Sequence, residues 1–278
     1  MKSAKAKRRW KDRGLSGIVW LSGGISAAIL LVIIGYIIIS GIPHLSVSFL
    51  QGILPMVANT LFIIFISLLL CIPLGIFTAI YLNEYAKPGR MVRTIRFAVD
   101  CLAGIPSIIF GLFGMLLFNK FLGFSYSMLS GGLTLTIMIL PTMIRTVEEA
   151  LKSVPQSFRE ASLALGATKL RTIRKTVLPS CLTGITTGII LAIGRIVGET
   201  AALIFTAGTV NGMAFSTSVS DQFGLLESGR TLAVHMYLIA KESVSMDEAY
   251  ATALVLIVIT LVINGAAGLI SKRQKKFD

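Results

Sequence analysis

Charge is scarce in this chain. Only 14% of its 278 residues are Asp, Glu, Lys or Arg, against about a quarter in an ordinary soluble domain, so water is not its main solvent. Histidine and cysteine are nearly absent as well, with two and three copies. His44 and His235 lack metal-ligand spacing. Cys71, Cys101 and Cys181 are odd in number, show no CxxC pattern and lie in or beside apolar stretches. Neither a zinc site nor a disulfide framework is therefore indicated, and no metal or cofactor is expected. No Gly-Lys dipeptide occurs, which rules out a P-loop, so any ATP-driven process needs another chain to bind the nucleotide. HExxH, GxSxG and paired catalytic aspartates are missing too, which argues against an intramembrane enzyme.

What is abundant is uninterrupted apolar sequence, with 54% of residues hydrophobic. A helix needs about 20 apolar residues to cross a hydrocarbon layer of about 30 Å. Six segments qualify: Gly17–Ser40, Leu54–Leu82, Phe97–Phe118, Met128–Ile144, Leu182–Gly208 and Tyr250–Ile270. The fourth is the shortest. The first follows a basic stretch, Lys2 to Arg13, but is longer than the roughly 7–15 residues of a signal core, so it reads as a retained helix.

The net charge of +13 would suit a nucleic-acid binder if the basic residues clustered on one surface. Instead they alternate between connections. The N-terminal arm, segment 83–96, segment 145–181 and the tail from Ser271 share 22 Lys and Arg; the intervening connections hold three, and Arg195 lies inside a helix. Basic residues accumulate on the cytoplasmic side of membranes. Both termini and both basic loops are therefore expected to be cytoplasmic, with no nucleic-acid partner.

Pro73, Pro106 and Pro141 fall within segments two to four, and the third also holds Gly104, Gly111 and Gly114. Such residues bend helices and let them approach closely, which fits either packing alone or a bundle shaped around a path. Asp100, four residues after Arg96, reads as a local ion pair. In the outer segment 209–249, the apolar stretch Leu232–Ala240 reads as an interfacial or re-entrant helix.

Segment 145–181 is too patterned for a linker. Ser153 to Gln156 has the form of a capping box, Gly166 suits a helix stop, Thr168 can cap a second helix and Pro179 can end it. Two short amphipathic helices should result, joined at the glycine. They could lie on anionic headgroups, act as a tethered helix-turn-helix, or dock a cytoplasmic partner. Glu160-Ala161-Ser162, three residues, Gly166, nine residues, then Thr176-Val177-Leu178-Pro179 resembles the EAA loop of ABC importer permeases, whose pattern is Glu-Ala-Ala, three residues, Gly, nine residues, Ile-x-Leu-Pro. Ser162 and Thr176 are departures. The resemblance implies a coupling helix seated on an ATP-binding subunit, with Glu160, Ala161 and Gly166 at the contact.

Arg195 stands near the middle of the fifth apolar segment, with Glu199 four residues on. Residues so spaced share a helix face, and a buried arginine is costly in a membrane. The pair is either an internal salt bridge or an anion-attracting element on a water-lined path. The run Gly194 to Gly208, with Gly198-Glu199-Thr200-Ala201-Ala202 at its centre, resembles the A-type permease subunits (PstA) of phosphate importers. Ala103 to Leu112 and Leu140 to Thr146 are similar to that family too.

The resemblance implies an all-α, polytopic fold of the type-1, MetI-like permease class in a bacterial inner membrane. In that reading, residues 1–16 form a basic arm, 17–40 the first transmembrane helix, 54–270 the permease domain with coupling loop 145–181, and 271–278 a basic tail. The implied partners are membrane lipid, a C-type permease in a heterodimer, an ABC ATPase dimer and an extracytoplasmic phosphate-binding protein. Inorganic phosphate is the implied solute, with Arg195 and Glu199 on its path. A permease for molybdate or tungstate, or a passive anion channel, is the alternative.

Overall fold

Helix α5 (Met128–Ser153) shows why these residues fold as they do. Leu135, Ile139, Met143, Val147 and Leu151 recur every four residues and are sealed from the surface, so one stripe of the helix faces the interior. Around it, in a computed structural model, the chain is helical without strands among the described residues. These are 2–210, 226–242 and 245–274, with side chains described for 16–210, 226–242 and 245–269. The rest of the outer segment 209–249 and the last four residues of the basic tail lie outside them.

The N-terminal helix α1 (Lys2–Gly41) takes in the basic arm without a break. It is followed by a 3-10 turn, Ile42–His44, and α2 (Val47–Ile80), which ends in a π-helical turn, Tyr81–Tyr85. Next come α3 (Arg90–Ala103) and α4 (Ser107–Gly114), the latter extended by a π-helical turn, Met115–Phe121. Beyond α5 lie α6 (Gln156–Ala164), α7 (Lys169–Thr172), a third π-helical turn at Ile173–Val177, and α8 (Leu178–Ser180). The chain continues as α9 (Leu182–Gly198), α10 (Ala201–Thr206), α11 (Leu232–Lys241) and α12 (Met246–Gln274). Helices α2 and α9 pack along α5, whereas α1 leaves most of its apolar surface open and joins the bundle through α12. There Tyr36 meets Tyr250 edge-on, with ring centroids 5.5 Å apart.

Among the described residues, four helices are long and apolar enough to span a bilayer, and two bent pairs bring the total to six. One bent pair is α3 with α4, and the other is the stretch Lys169–Ser180 with α9, at 66°. In the third segment, α3 and α4 meet at 101°. Pro106 cannot donate a hydrogen bond to α3 and holds extended geometry before Ser107. The fifth segment stops at Gly198, and Glu199 adopts an extended backbone (φ −76°, ψ 119°) before α10 begins. The fourth segment is longer than its apolar core, because α5 runs on to Ser153 and takes up the first nine residues of the basic loop.

Two buried polar contacts tie elements of the bundle together. The Asn119 amide donates to the carbonyls of Phe205 and Thr206, both at 3.2 Å, and so completes the end of α10. The Thr60 hydroxyl accepts the amide of Leu232 at 2.9 Å, which fixes the start of α11 to α2. At ten residues α11 is too short to span, in keeping with the interfacial or re-entrant reading.

Candidate functional site

The two interruptions meet. Helix α4 crosses α10 so closely that a Cβ on Gly111 would lie 2.8 Å from Ala202 Cα. This contact holds the α3–α4 bend beside the α9–α10 break, at the level of Arg195 and Glu199. Arg195 occupies the last turn of α9 rather than the centre of a longer helix, a position where the helix dipole favours a cation. It lies about 20 Å along α9 from the start at Leu182, at 1.5 Å rise per residue.

Glu199 caps α9 from outside the helix, so the expected shared helical face is lost. The pair is nevertheless retained at 4.0 Å between Arg195 Nε and Glu199 Oε1. That distance is an ion pair without a hydrogen bond. The Arg195 side chain is 32% exposed and that of Glu199 13%, so the guanidinium is neither sealed in hydrocarbon nor locked to its neighbour. Arg195 Nη1 donates to Thr142 Oγ1 on α5 at 3.3 Å, and the Ser107 side chain at the start of α4 lies beside Glu199. Sequence reasoning missed Thr142 and Ser107 as members of this cluster. The one available signal was that each adjoins a proline within an apolar run.

The arrangement places a fork of strong donors, two hydroxyls and one carboxylate at the junction of three helical segments. Discontinuous helices of this kind form the solute sites of many transporters. An arginine fork is suited to two oxygens of a tetrahedral anion, with charge-assisted hydrogen bonds.

Segment 145–181 folds, beyond the end of α5, as a helical hairpin. The proposed capping box is absent: Ser153 Oγ donates back to the Ala150 carbonyl, and α6 begins after Pro155 with no side-chain cap. The box fails because α5 has not yet ended at Ser153. Of the other three signals two hold; Pro179 does not end the helix but sits in the first turn of α8, which runs on to Ser180. Gly166 has φ +80°, the left-handed geometry that lets a helix end without steric cost, and Thr168 accepts the Arg171 amide at 3.4 Å. A bond of 2.9 Å between the hydroxyls of Ser162 and Thr172 ties α6 to α7. Glu160, Ala161 and Gly166 are all exposed, as are Phe158, Leu163 and Leu170, and Leu165 is 89% exposed.

Asp100 pairs with Arg145 on α5, not with Arg96; Arg96 reaches Glu148 at 2.6 Å. The bend after α3 and the extension of α5 bring these charges together, which local spacing could not reveal. His44 Nε2 stands 3.6 Å from Asp247 Oδ1. His235 is buried in α11, where burial and then the charge of Arg230 push its imidazole down to about 4, so it is neutral near pH 7.

A membrane-type helical bundle with a basic helical hairpin and an arginine at a helix break is an architecture suited to a permease. The chain belongs to the family of binding-protein-dependent transport system inner membrane components, whose model matches residues 71–276. It is 37% identical to the probable ABC transporter permease protein YqgI of Bacillus subtilis, across 94% of this chain and 95% of that protein. It is 38% identical to the phosphate transport system permease protein PstA 1 of Mycobacterium tuberculosis, across 80% of this chain and 71% of that protein. In fold it resembles a chain of a bacterial ABC transporter involved in import of the acidic polysaccharide alginate, with a TM-score of 0.68, 17% identity and coverage of 96% and 99%. A chain of the MetNI methionine ABC transporter, in an inward facing conformation, matches with a TM-score of 0.61 and 22% identity over 81% of this chain and 95% of that one.

Proposed function

We propose that this chain is a permease subunit of an ATP-driven importer of inorganic phosphate and lines half of the translocation path. The observation that carries this reading is the partly exposed Arg195 guanidinium, held by Thr142 beside two interrupted helices. Relatives named for phosphate transport supply the solute. In the empty state Glu199 offsets the charge of Arg195 from 4.0 Å without occupying its donors. When hydrogen phosphate arrives, its oxygens take the fork, and its P–OH donates to the Glu199 carboxylate. Sulfate at neutral pH lacks that proton and meets an unpaired carboxylate instead, which costs binding.

The chain crosses a bacterial inner membrane with both termini in the cytoplasm, a reading supported by the 22 Lys and Arg on that side against three on the other. It works as a heterodimer with a C-type permease. An ATPase dimer docks on the exposed hairpin around Glu160, Ala161 and Gly166, and an extracytoplasmic phosphate-binding protein delivers the solute. Nucleotide chemistry belongs to the ATPase chains. The test is uptake of labelled phosphate by the complete complex in proteoliposomes, with Arg195→Gln beside the parent. Loss of uptake with ATP hydrolysis intact supports the reading, and normal uptake overturns it. Molybdate or tungstate outcompeting phosphate would reassign the solute, and uptake persisting without nucleotide would replace the pump with a channel.

A further inference from the structure

A second arginine, Arg159, sits in the hairpin directly before Glu160, yet it points away from the exposed face. Its side chain is 12% exposed and that of its partner Glu84 9%. Arg159 Nη2 and Nε donate to Glu84 Oε1 at 2.8 and 3.1 Å. The same guanidinium donates to the carbonyls of Val154 at 2.7 Å and Leu151 at 2.8 Å at the end of α5, where Leu151 also accepts the Val154 amide at 3.4 Å. Glu84 belongs to the π-helical turn that closes α2, and the Asn83 amide holds its Oε1 at 2.9 Å. Beside it the Lys169 ammonium of α7 lies 4.9 Å from the centre of the Tyr85 ring. One side chain of α6 is thus bonded to the cytoplasmic ends of both α2 and α5.

A buried ion pair is poor value as a source of stability, since well-packed apolar residues do as well. What the fork adds is direction: several donors fix the hairpin relative to two helices at once. The apolar anchor of the hairpin lies in its second arm, where Ile173 and Val177 are buried. No residue of α6 is buried, and an open cavity of about 610 Å³ lies alongside, lined by Asn83, Glu84, Gln156, Arg159 and Leu163 among others. Without the tie α6 has room to tilt into that space.

We infer that Glu84 and Arg159 are positioning residues that form the rigid joint through which movement of the docking hairpin is passed to α2 and α5. The joint rests on the reading of this chain as a permease driven by a partner ATPase, but not on the identity of the solute. Since α5 carries Thr142, and Thr142 holds Arg195, the joint lies on a continuous route from the ATPase surface to the solute site. The tight α2–α5 packing makes those two helices move together.

The test replaces the ion pair by a reversible covalent bridge in the complete transporter. Glu84→Cys and Arg159→Cys are introduced together with Cys101→Ser, which removes the exposed native thiol. The pair is then spanned by a bifunctional methanethiosulfonate, which reductant cleaves. Solute uptake and ATP hydrolysis are read on one preparation, bridged and reduced. The expected result is ATP hydrolysis in both states, with uptake per ATP about tenfold lower after reduction. Equal uptake per ATP in the two states overturns the joint. Because both states come from the same assembled protein, a folding defect cannot imitate the difference. The Cys101→Ser complex, assayed alongside for phosphate and competing oxyanions, reports separately on the solute. If it carries a different anion, the bridged and reduced states are compared with that anion.

Discussion

Two arginine–carboxylate pairs in this protein differ in nearly every physical respect. Arg195 and Glu199 are four residues apart, separated by 4.0 Å, with the arginine about one-third exposed. Arg159 and Glu84 are 75 residues apart in sequence, bonded at 2.8 Å, with both side chains nearly buried. The first leaves donors open at a break between helices. The second commits its donors to two elements of the fold besides its own. A guanidinium intended for a passing anion must stay under-satisfied, whereas one that fixes geometry must not.

The largest effect should come from breaking the tight pair. Arg159→Met leaves Glu84 buried without its partner and should lower stability by about 3–5 kcal/mol, read as a fall in the thermal unfolding midpoint of the purified complex in detergent. Pairing it with Glu84→Gln should recover a large part of that loss. If the double variant is as unstable as the single, the carboxylate is not the source of the cost.

Breaking the loose pair should act on transport instead. Arg195→Gln removes a charged donor and should reduce phosphate uptake roughly hundredfold, with the unfolding midpoint nearly unchanged. A matching collapse in stability would make the two pairs alike and remove the distinction. Gly111→Val tests the helix crossing that brings the two breaks together. The added side chain must displace Ala202 on α10, at a cost of about 1–3 kcal/mol. Phosphate affinity and thermal stability should fall together.

Subtler changes sharpen the comparison. Glu199→Gln should leave phosphate binding within several-fold but narrow the preference for phosphate over sulfate by about tenfold, measured by competition in proteoliposomes. Unaltered sulfate exclusion would dismiss the role given to Glu199. Thr142→Val takes one weak hydrogen bond from Arg195 and should raise the apparent Km for phosphate about threefold to tenfold.

Much of this was legible in the residues. The apolar runs, the alternating basic connections, Gly166 and Thr168 each act within a few positions, and each was found where expected. The break at Glu199 was not legible, because Gly198-Glu199-Thr200 interrupts an apolar stretch without a proline. The capping box at Ser153 misled because its pattern is local, while α5 is held helical through that point by Val147 and Leu151 in the core. Thr142 and Ser107 could not be assigned to Arg195 and Glu199, since nothing in their spacing says which helices cross.

By itself the sequence determined the solvent, the apolar runs, the alternation of basic connections and the presence of a helical hairpin. Hydropathy, charge bias and caps are properties of short segments, and they act whatever the neighbours are. Only the tertiary structure decided that two helices break at the same level, that Arg195 keeps open donors and that Arg159 does not. Those outcomes depend on which segments pack against one another, and in this chain the deciding contacts join residues tens of positions apart.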